Sequence, residues 1–353
     1  MEYKLRCLTC NKVYESTYNS QLCKECHGVL EVEYNFISES FINMPHSFWG
    51  YSNILPNSKS YKKYSVGLTK LLKSNSDENL FLKLEFQNPT GSFKDRGSVI
   101  ELAKANDYGY KRVVCASTGN MAYSIAYYAK LYGIKATVYV SKDANKDKLY
   151  NIDKTSNATI VKVNGDFTAA QKLAEKHAFR KREFLTGDYC YRKEGQKTII
   201  YEILAQLRNT RNIIVPIGNA TLFSGMLKSL KEIKDNYPKT HLPKIIGVQS
   251  AVCKPLYEAY KKESTIRYEK PKTKADAIAV GYPTFGPQAL KYMKDLDSTI
   301  VTVTETEMKN EQKRFYDNYG LIVELASVAP VAAYKKLKLQ NSETVAIITG
   351  KNV

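Results

Sequence analysis

An α/β fold with mostly parallel sheets is predicted by the order of apolar runs along the 353-residue chain. Short runs rich in β-branched residues recur from Leu80 onward, and such continuous runs are typical of strands buried on both faces of a parallel sheet. Segments with helical periodicity separate these runs. A block of four cysteines near the N-terminus predicts a small additional unit in front of the sheets.

The first element is a pair of cysteine knuckles, Cys7-x-x-Cys10 and Cys23-x-x-Cys26. Four thiolates at this spacing can close a tetrahedral site, which is typical of structural zinc. The segment between the knuckles is polar and too short to fold by burial alone, so a bound metal would supply its stability. We therefore predict a zinc-ribbon-like segment over residues 1–34 with these cysteines as ligands, although the sequence leaves zinc and iron open.

The strands follow as separate apolar runs. We expect them at Leu80–Glu85, Arg112–Ala116, Ala136–Val140, Thr159–Val163, Asn212–Pro216, Lys244–Val248 and Val345–Ile348. Helical periodicity is clearest at Met121–Tyr132 and Thr198–Arg208, between such runs. Alternation of strands and helices predicts parallel sheets joined by crossover helices.

Charge and hydropathy exclude several classes of protein. The net charge is +18, but lysines are scattered along the chain with acidic residues between them, whereas a nucleic-acid interface needs a contiguous basic face. The four cysteines and the positive charge make a zinc-ribbon nucleic-acid-binding protein the rival interpretation. Because the basic residues are dispersed, we expect no nucleic-acid partner. The longest apolar runs are far shorter than a membrane span, and the N-terminus leads into no apolar signal region. We expect a cytoplasmic protein with no membrane partner.

One lysine stands out by its position. Lys94 follows the glycine-containing turn Asn88–Phe93 and begins a predicted helix directly after the apolar run that ends near Phe86. A cation at a helix N-terminus is disfavoured by the helix dipole, so this lysine is poorly explained as a stabilising charge. A lysine that loses its proton readily can attack a carbonyl carbon. Lys94 is therefore the candidate catalytic residue.

The string Asn88-Pro-Thr-Gly-Ser-Phe-Lys-Asp-Arg-Gly97 resembles the cofactor-lysine motif of threonine synthase and its relatives among the fold-type II pyridoxal-phosphate enzymes. Their fold is like that of tryptophan synthase β, so the resemblance implies two open, mostly parallel sheets with helices on both faces. The resemblance implies that Lys94 binds pyridoxal 5′-phosphate covalently and later acts as a base. It also implies a homodimer. We expect a large cofactor-binding domain at residues 35–95 and 191–353, a smaller α/β domain at 96–190, and an active site in the cleft between them.

Three further turns match this family in the same order along the chain. Asn120 takes the position that contacts the phenolic oxygen of the cofactor, and Thr349 the position that faces the pyridine nitrogen. The loop Gly218-Asn219-Ala220-Thr221 resembles the loop that holds the cofactor phosphate. The predicted substrate contacts are Ser92, Ser117, Thr118 and Arg192.

The substrate pocket departs from the threonine synthase pattern. Arg192 is retained as the candidate for gripping a substrate phosphate, but Gly187, Tyr189 and Ala279 stand where the family has a serine, an asparagine and a second arginine. Loss of a buried hydrogen-bond donor costs about 1–3 kcal/mol unless it is replaced. The phosphate site is thus altered.

Two readings of the substrate remain open. One is a divergent threonine synthase that eliminates phosphate from O-phospho-L-homoserine and adds water to give L-threonine, with Lys193 or Lys351 as replacement donors. The other is a paralogue that carries out β-elimination or β-replacement on O-phosphoserine or a related amino acid, as cysteate synthase does. A cofactor-binding pseudoenzyme is a third reading, which intact Lys94, Asn120 and Thr349 disfavour.

Overall fold

The predicted fold class is confirmed by a computed structural model that describes residues 2–35, 43–61, 64–117, 119–142, 146–165 and 167–351. The strands are β1 Tyr3–Cys7, β2 Val13–Glu15, β3 Leu30–Tyr34, β4 Leu71–Lys73, β5 Leu80–Leu84, β6 Arg112–Ala116, β7 Lys135–Ser141, β8 Ala158–Val163, β9 Phe184–Leu185, β10 Asn212–Pro216, β11 Lys244–Ser250, β12 Ser298–Val303 and β13 Thr344–Ile348. The helices are α1 Lys94–Asp107, α2 Asn120–Tyr132, α3 Lys146–Lys154, α4 Phe167–Lys181, α5 Cys190–Gln206, α6 Thr221–Asn236, α7 Pro255–Lys261, α8 Gly286–Met293, α9 Glu305–Tyr319 and α10 Ala329–Lys336.

Two parallel sheets form the body of the molecule. The larger has the strand order β12-β11-β10-β13-β5-β4, in which only the edge strand β4 runs antiparallel to its neighbour. The smaller has the order β8-β7-β6-β9 and is wholly parallel. Every residue of β10 and β13 is buried, as expected for central strands covered on both faces.

The N-terminal segment is a separate antiparallel sheet of order β2-β1-β3. Its small core includes Leu5, Leu30 and Val32 together with the thiols of Cys7 and Cys23. We call residues 2–35 the cysteine ribbon. The ribbon packs against α5 through β3.

The observed elements follow the predicted strands closely, whereas the helices differ more. Strands β6 and β10 have the predicted bounds, while β7 and β11 are longer than predicted. Helix α5 begins at Cys190, eight residues before the predicted start at Thr198. The edge strands β4, β9 and β12 were not predicted, because they are short or lack a fully buried apolar run. None of the helices in the described parts of the chain is both long and apolar enough to cross a bilayer.

Both parallel sheets direct the carboxyl ends of several strands towards one region. The turn after β5 leads into α1, the turn after β6 leads into α2, and the turn after β10 leads into α6. Ligands of open parallel sheets bind beyond these strand ends, where helices begin with free backbone amides. The candidate site is expected in this region.

Candidate active site

The turn that carries Lys94 is fixed by a buried carboxylate. Asp95 accepts hydrogen bonds from the backbone N–H of Thr90 (2.7 Å), from the Thr90 hydroxyl and from the hydroxyl of Ser124 on α2 (2.6 Å). Burial raises the pKa of the Asp95 carboxyl to about 6, and these hydrogen bonds act against that rise. The first turn of α1 is thereby tied to α2, and the backbone of Lys94 has a defined position.

The side chain of Lys94 reaches an open cavity and is 20% exposed. Its ammonium lies 3.7 Å from Oδ1 of Asp188 and 4.7 Å from the centre of the Phe93 ring. Burial lowers the pKa of Lys94, and Asp188 acts in the opposite direction. A lysine with a lowered pKa is more often present as the neutral amine, which is the nucleophilic form.

A cavity of about 310 Å³ brings most of the predicted site residues together. Its walls include Lys94, Ser117, Asn120, Gly218, Asn219, Ala220, Thr221 and Thr349. This volume is at the lower end of the range for small-molecule sites. The site residues come from the ends of β5, β6, β10 and β13, as parallel-sheet topology requires.

The loop 218–221 presents the N-terminus of α6 to this cavity. Ala220 adopts a left-handed backbone conformation with φ of 62° directly before the helix. A Cβ at Gly218 would lie 2.6 Å from the carbonyl oxygen of Ala277, so the loop can pass this neighbour only with glycine. The first amides of a helix have no partner within the helix and can bind an anion.

Other polar side chains of the cavity wall are also held in place. The hydroxyl of Thr349 lies 2.9 Å from the hydroxyl of Ser327. The side-chain amide of Asn120 donates to Oε1 of Glu324 at 2.8 Å. Thr349, Asn120 and Ser117 all line the cavity.

Two predicted substrate contacts lie elsewhere. Ser92 is fully buried, is absent from the cavity wall, and accepts a long hydrogen bond from the backbone N–H of Lys94 at 3.4 Å. Arg192 is fully buried in α5 and is also absent from the wall. A third predicted contact, Thr118, lies outside the described residues.

The guanidinium of Arg192 is engaged within the protein. It donates to the carbonyl oxygen of Gly187 (2.7 Å), the carbonyl oxygen of Lys94 (3.0 Å), the Ser98 hydroxyl (3.0 Å) and Oε2 of Glu101 (2.5 Å). A guanidinium has five N–H donors in one plane, and these four hydrogen bonds use all three of its nitrogen atoms. The arrangement does not fit the predicted role of Arg192 in gripping a substrate phosphate, and instead it fixes the first turn of α1.

Asp188 is a site residue that sequence reasoning missed. Its carboxylate accepts from the Thr221 hydroxyl at 2.8 Å and from the Asn219 side-chain amide at 3.0 Å, and it faces Lys94. Burial acts to raise its pKa, but Lys94 and Arg192 outweigh burial and lower it. The sequence feature that could have indicated this residue was its acidic side chain in the short turn between β9 and α5.

The four cysteines of the ribbon converge as predicted. The sulfur atoms of Cys7, Cys10, Cys23 and Cys26 all lie within 4.8 Å of one another. The hydroxyl of Tyr14 lies 3.0 Å from Sγ of Cys23. Burial acts to raise the pKa of Cys23, but the Tyr14 hydrogen bond and backbone N–H groups lower it to about 6. These sulfur atoms are compatible with a four-thiolate metal site.

Comparison with known proteins agrees with this geometry. A family model described as pyridoxal-phosphate dependent enzyme matches residues 63–350. Threonine synthase of Methanocaldococcus jannaschii is 34% identical over 94% of this chain and 87% of its own length, and the catabolic L-threonine dehydratase of Staphylococcus aureus is 31% identical over 80% and 82%. The fold matches threonine deaminase isoform 2 of Solanum lycopersicum with a TM-score of 0.71 at 21% identity, covering 91% of this chain and 95% of that one.

Proposed function

Because the chain belongs to the pyridoxal-phosphate-dependent enzyme family, we propose that it is a lyase in which Lys94 binds the cofactor and removes the α-proton of an amino acid. One observation carries this proposal. The partly exposed amine of Lys94, whose pKa is lowered by burial, faces the cavity wall formed by loop 218–221, Asn120 and Thr349.

The residues of the cavity fit pyridoxal 5′-phosphate. The N-terminus of α6 offers amides to the phosphate. Gly218 lets the loop backbone pass close to the carbonyl oxygen of Ala277. Asn120 and Thr349 both line this cavity, and on this proposal Asn120 would contact the phenolic oxygen and the Thr349 hydroxyl the ring nitrogen. When bound, this cofactor withdraws electrons from the α-carbon of an attached amino acid.

The protein's own groups have separate tasks. The amine of Lys94 accepts the proton from the α-carbon of the amino acid and can pass it to solvent that reaches the cavity. Thr349, a neutral hydroxyl held by Ser327, would hydrogen-bond a ring nitrogen and leave it without charge. Ser117 and the adjacent start of α2 offer donors for a substrate carboxylate.

The relatives suggest which substrates to test first. Similarity to threonine synthases supports elimination of phosphate from O-phospho-L-homoserine followed by addition of water to give L-threonine. The alternative is elimination or replacement on O-phospho-L-serine or a related amino acid, and the dehydratase relative adds L-threonine to the set.

The function is tested by trapping the cofactor and by product release. Borohydride treatment of purified protein with pyridoxal phosphate should fix the cofactor to Lys94. Lys94→Ala should abolish trapping and turnover, whereas Lys70→Ala, a change of an exposed lysine, should leave both intact. Release of phosphate or ammonia from each amino acid then identifies the substrate. Trapping that persists in Lys94→Ala would refute the assignment.

We further propose that the cysteine ribbon binds a structural zinc ion and that the enzyme is a cytoplasmic homodimer with no nucleic-acid partner. Four closely grouped thiols support the first part, and similarity to the family supports the second. Metal analysis of the purified protein tests the zinc site, and the molar mass in solution tests the homodimer.

A further inference from the structure

The charged groups on the cavity wall are unusual for a site that must hold a phosphate ester. Among the described residues of the wall, Lys94 is the single cation, whereas Asp188, Asp276 and Glu324 are acidic. The amine of Lys94 is required for the cofactor, so it offers no permanent charge to a substrate side chain. A second phosphate would therefore enter a region with an excess of negative charge.

Asp188 is the carboxylate closest to the chemistry. Its Oδ1 lies 3.7 Å from the Lys94 amine, and its two oxygens accept from Thr221 and Asn219. These hydrogen bonds fix the carboxylate, and they leave the cofactor phosphate to the backbone amides at the start of α6. In a partly buried site, a second negative charge close to this carboxylate is repelled more strongly than it would be in water.

The nearby cations are directed elsewhere. Arg192 is paired with Glu101 beneath α1, and its guanidinium has no atom on the cavity wall. Lys193, the next residue of α5, is fully buried and paired with Glu31 of the cysteine ribbon. Lys351 is likewise absent from the wall. None of the three lies on the described wall of this cavity.

Building on the proposed function, we propose that Asp188 is a specificity-determining residue that selects an amino acid whose side chain ends in a hydrogen-bond donor without negative charge, and that it excludes phosphate esters. A hydroxyl or an ammonium group can donate to the free lone pairs of a carboxylate. A phosphate monoester would place at least one negative charge next to it. The small cavity, of about 310 Å³, also favours a short side chain.

The test uses the holoenzyme and follows the visible absorption of the bound cofactor during titration. The probes are L-serine, L-threonine and L-2,3-diaminopropionate on one side, and O-phospho-L-serine and O-phospho-L-homoserine on the other. We expect the wild type to bind at least one of the first three and to bind both phosphate esters at least about tenfold more weakly. Within the first group, L-serine and L-threonine carry a side-chain hydroxyl, whereas L-2,3-diaminopropionate carries a side-chain ammonium group. Their relative affinities show which of these two groups the site prefers.

Asp188→Asn keeps the shape of the side chain and removes its charge. We expect this variant to bind the phosphate esters about tenfold or more tightly than the wild type, since each tenfold corresponds to about 1.4 kcal/mol. The matched control is Asp235→Asn, which removes the same charge from an exposed pair on α6 and should leave all affinities unchanged. If Asp188→Asn does not fold, Asp188→Ser removes the same charge, and its affinities for the phosphate esters are compared with those of the wild type. The preference of the wild type between the two groups of probes tests the inference independently of any variant.

Two results would overturn the inference. A wild-type enzyme that carries the cofactor on Lys94 and binds a phosphate ester best would refute the role of Asp188 while leaving the proposed function intact. Unchanged affinity for both esters in Asp188→Asn would do the same. A protein in which no cofactor can be trapped on Lys94 would instead refute the proposed function, and the inference with it.

Discussion

The charge state of Lys94 depends on two opposing influences within a few ångströms. Burial disfavours the ammonium form and lowers the pKa of Lys94, while the carboxylate of Asp188 at 3.7 Å favours that form. Asp188 itself is anchored by Asn219 and Thr221 and cannot turn away without breaking two hydrogen bonds. The balance between the amine and the ammonium is therefore set by one fixed carboxylate.

Replacement of Asp188 should shift the pH dependence of cofactor attachment. Because Asp188 raises the pKa of Lys94, Asp188→Asn should lower that pKa further. The neutral amine is then present at lower pH. The measurement is the rate at which apoprotein takes up pyridoxal phosphate as a function of pH, with Asp235→Asn as control. An inflection that stays in place or moves to higher pH would contradict the stated electrostatics.

Gly218 is the residue at which an added methyl group should damage the cofactor loop directly. In Gly218→Ala the new Cβ would approach the Ala277 carbonyl to 2.6 Å, so the loop must shift. We expect affinity for pyridoxal phosphate to fall by about tenfold or more, since backbone amides must meet the phosphate closely. Equilibrium dialysis measures this. Gly109→Ala, in a turn outside the cavity wall, is the control and should retain affinity.

Helix α5 lies in the interior, packed against α1 and α6. All residues from Cys190 to Ile203 are buried, and five of these are charged, namely Arg192, Lys193, Glu194, Lys197 and Glu202. Each of the five forms an ion pair, in most cases with a residue of another element. Paired charges can be buried, whereas isolated ones cannot. Helix α5 is thus a charged helix with no solvent-exposed face.

This burial explains where sequence patterns succeeded and where they failed. The continuous apolar runs of β6 and β10 predicted both bounds, because strands in a parallel sheet need apolar side chains on both faces. Helix α5 has no apolar stripe, so periodicity placed its start too late, and Arg192 lay outside the predicted helix. The contacts of Asp188 join turns that are distant in the sequence, and no local pattern encodes them.

The buried pair between α1 and α5 should contribute strongly to stability. Glu202 accepts from Arg96 at 2.5 Å and from Lys83 at 2.6 Å, and all three side chains are fully buried. Glu202→Gln leaves two buried cations with reduced compensation, and we expect it to lower the free energy of unfolding by about 3–5 kcal/mol. Urea denaturation measures the loss. Asp235→Asn breaks an exposed pair and should change the value by at most about 1 kcal/mol.

The same pair gives the stability a defined dependence on pH. Burial acts to raise the pKa of Glu202, but Arg96 and Lys83 outweigh it and lower that pKa to about 2. A carboxylate with a lowered pKa stabilises the fold above its unfolded value, about 4.3, and this contribution is lost as the pH falls towards 2. Wild type should therefore lose stability over this range more steeply than Glu202→Gln. Equal slopes for both proteins would count against the ion pair.

The cysteine ribbon is connected to the active-site lysine through hydrogen bonds. Gln21 of the ribbon donates to Oε1 of Glu101 at 3.2 Å and accepts from the backbone N–H of Tyr191 at 3.1 Å. Glu101 pairs with Arg192, whose guanidinium donates to the carbonyl oxygen of Lys94. The ribbon therefore supports the start of α1 as well as its own short strands.

Removal of one thiol should release the metal and loosen this support. Cys23 is fully buried and its sulfur lies beside the Tyr14 hydroxyl, so Cys23→Ser replaces a thiolate with a weak ligand at the centre of the cluster. We expect about one metal ion per chain in the wild type, little in the variant, and a lower midpoint of thermal unfolding. Cys115→Ala, which removes a buried thiol from β6, should keep the metal. Equal metal content in both variants would show that the four thiols do not act as one site.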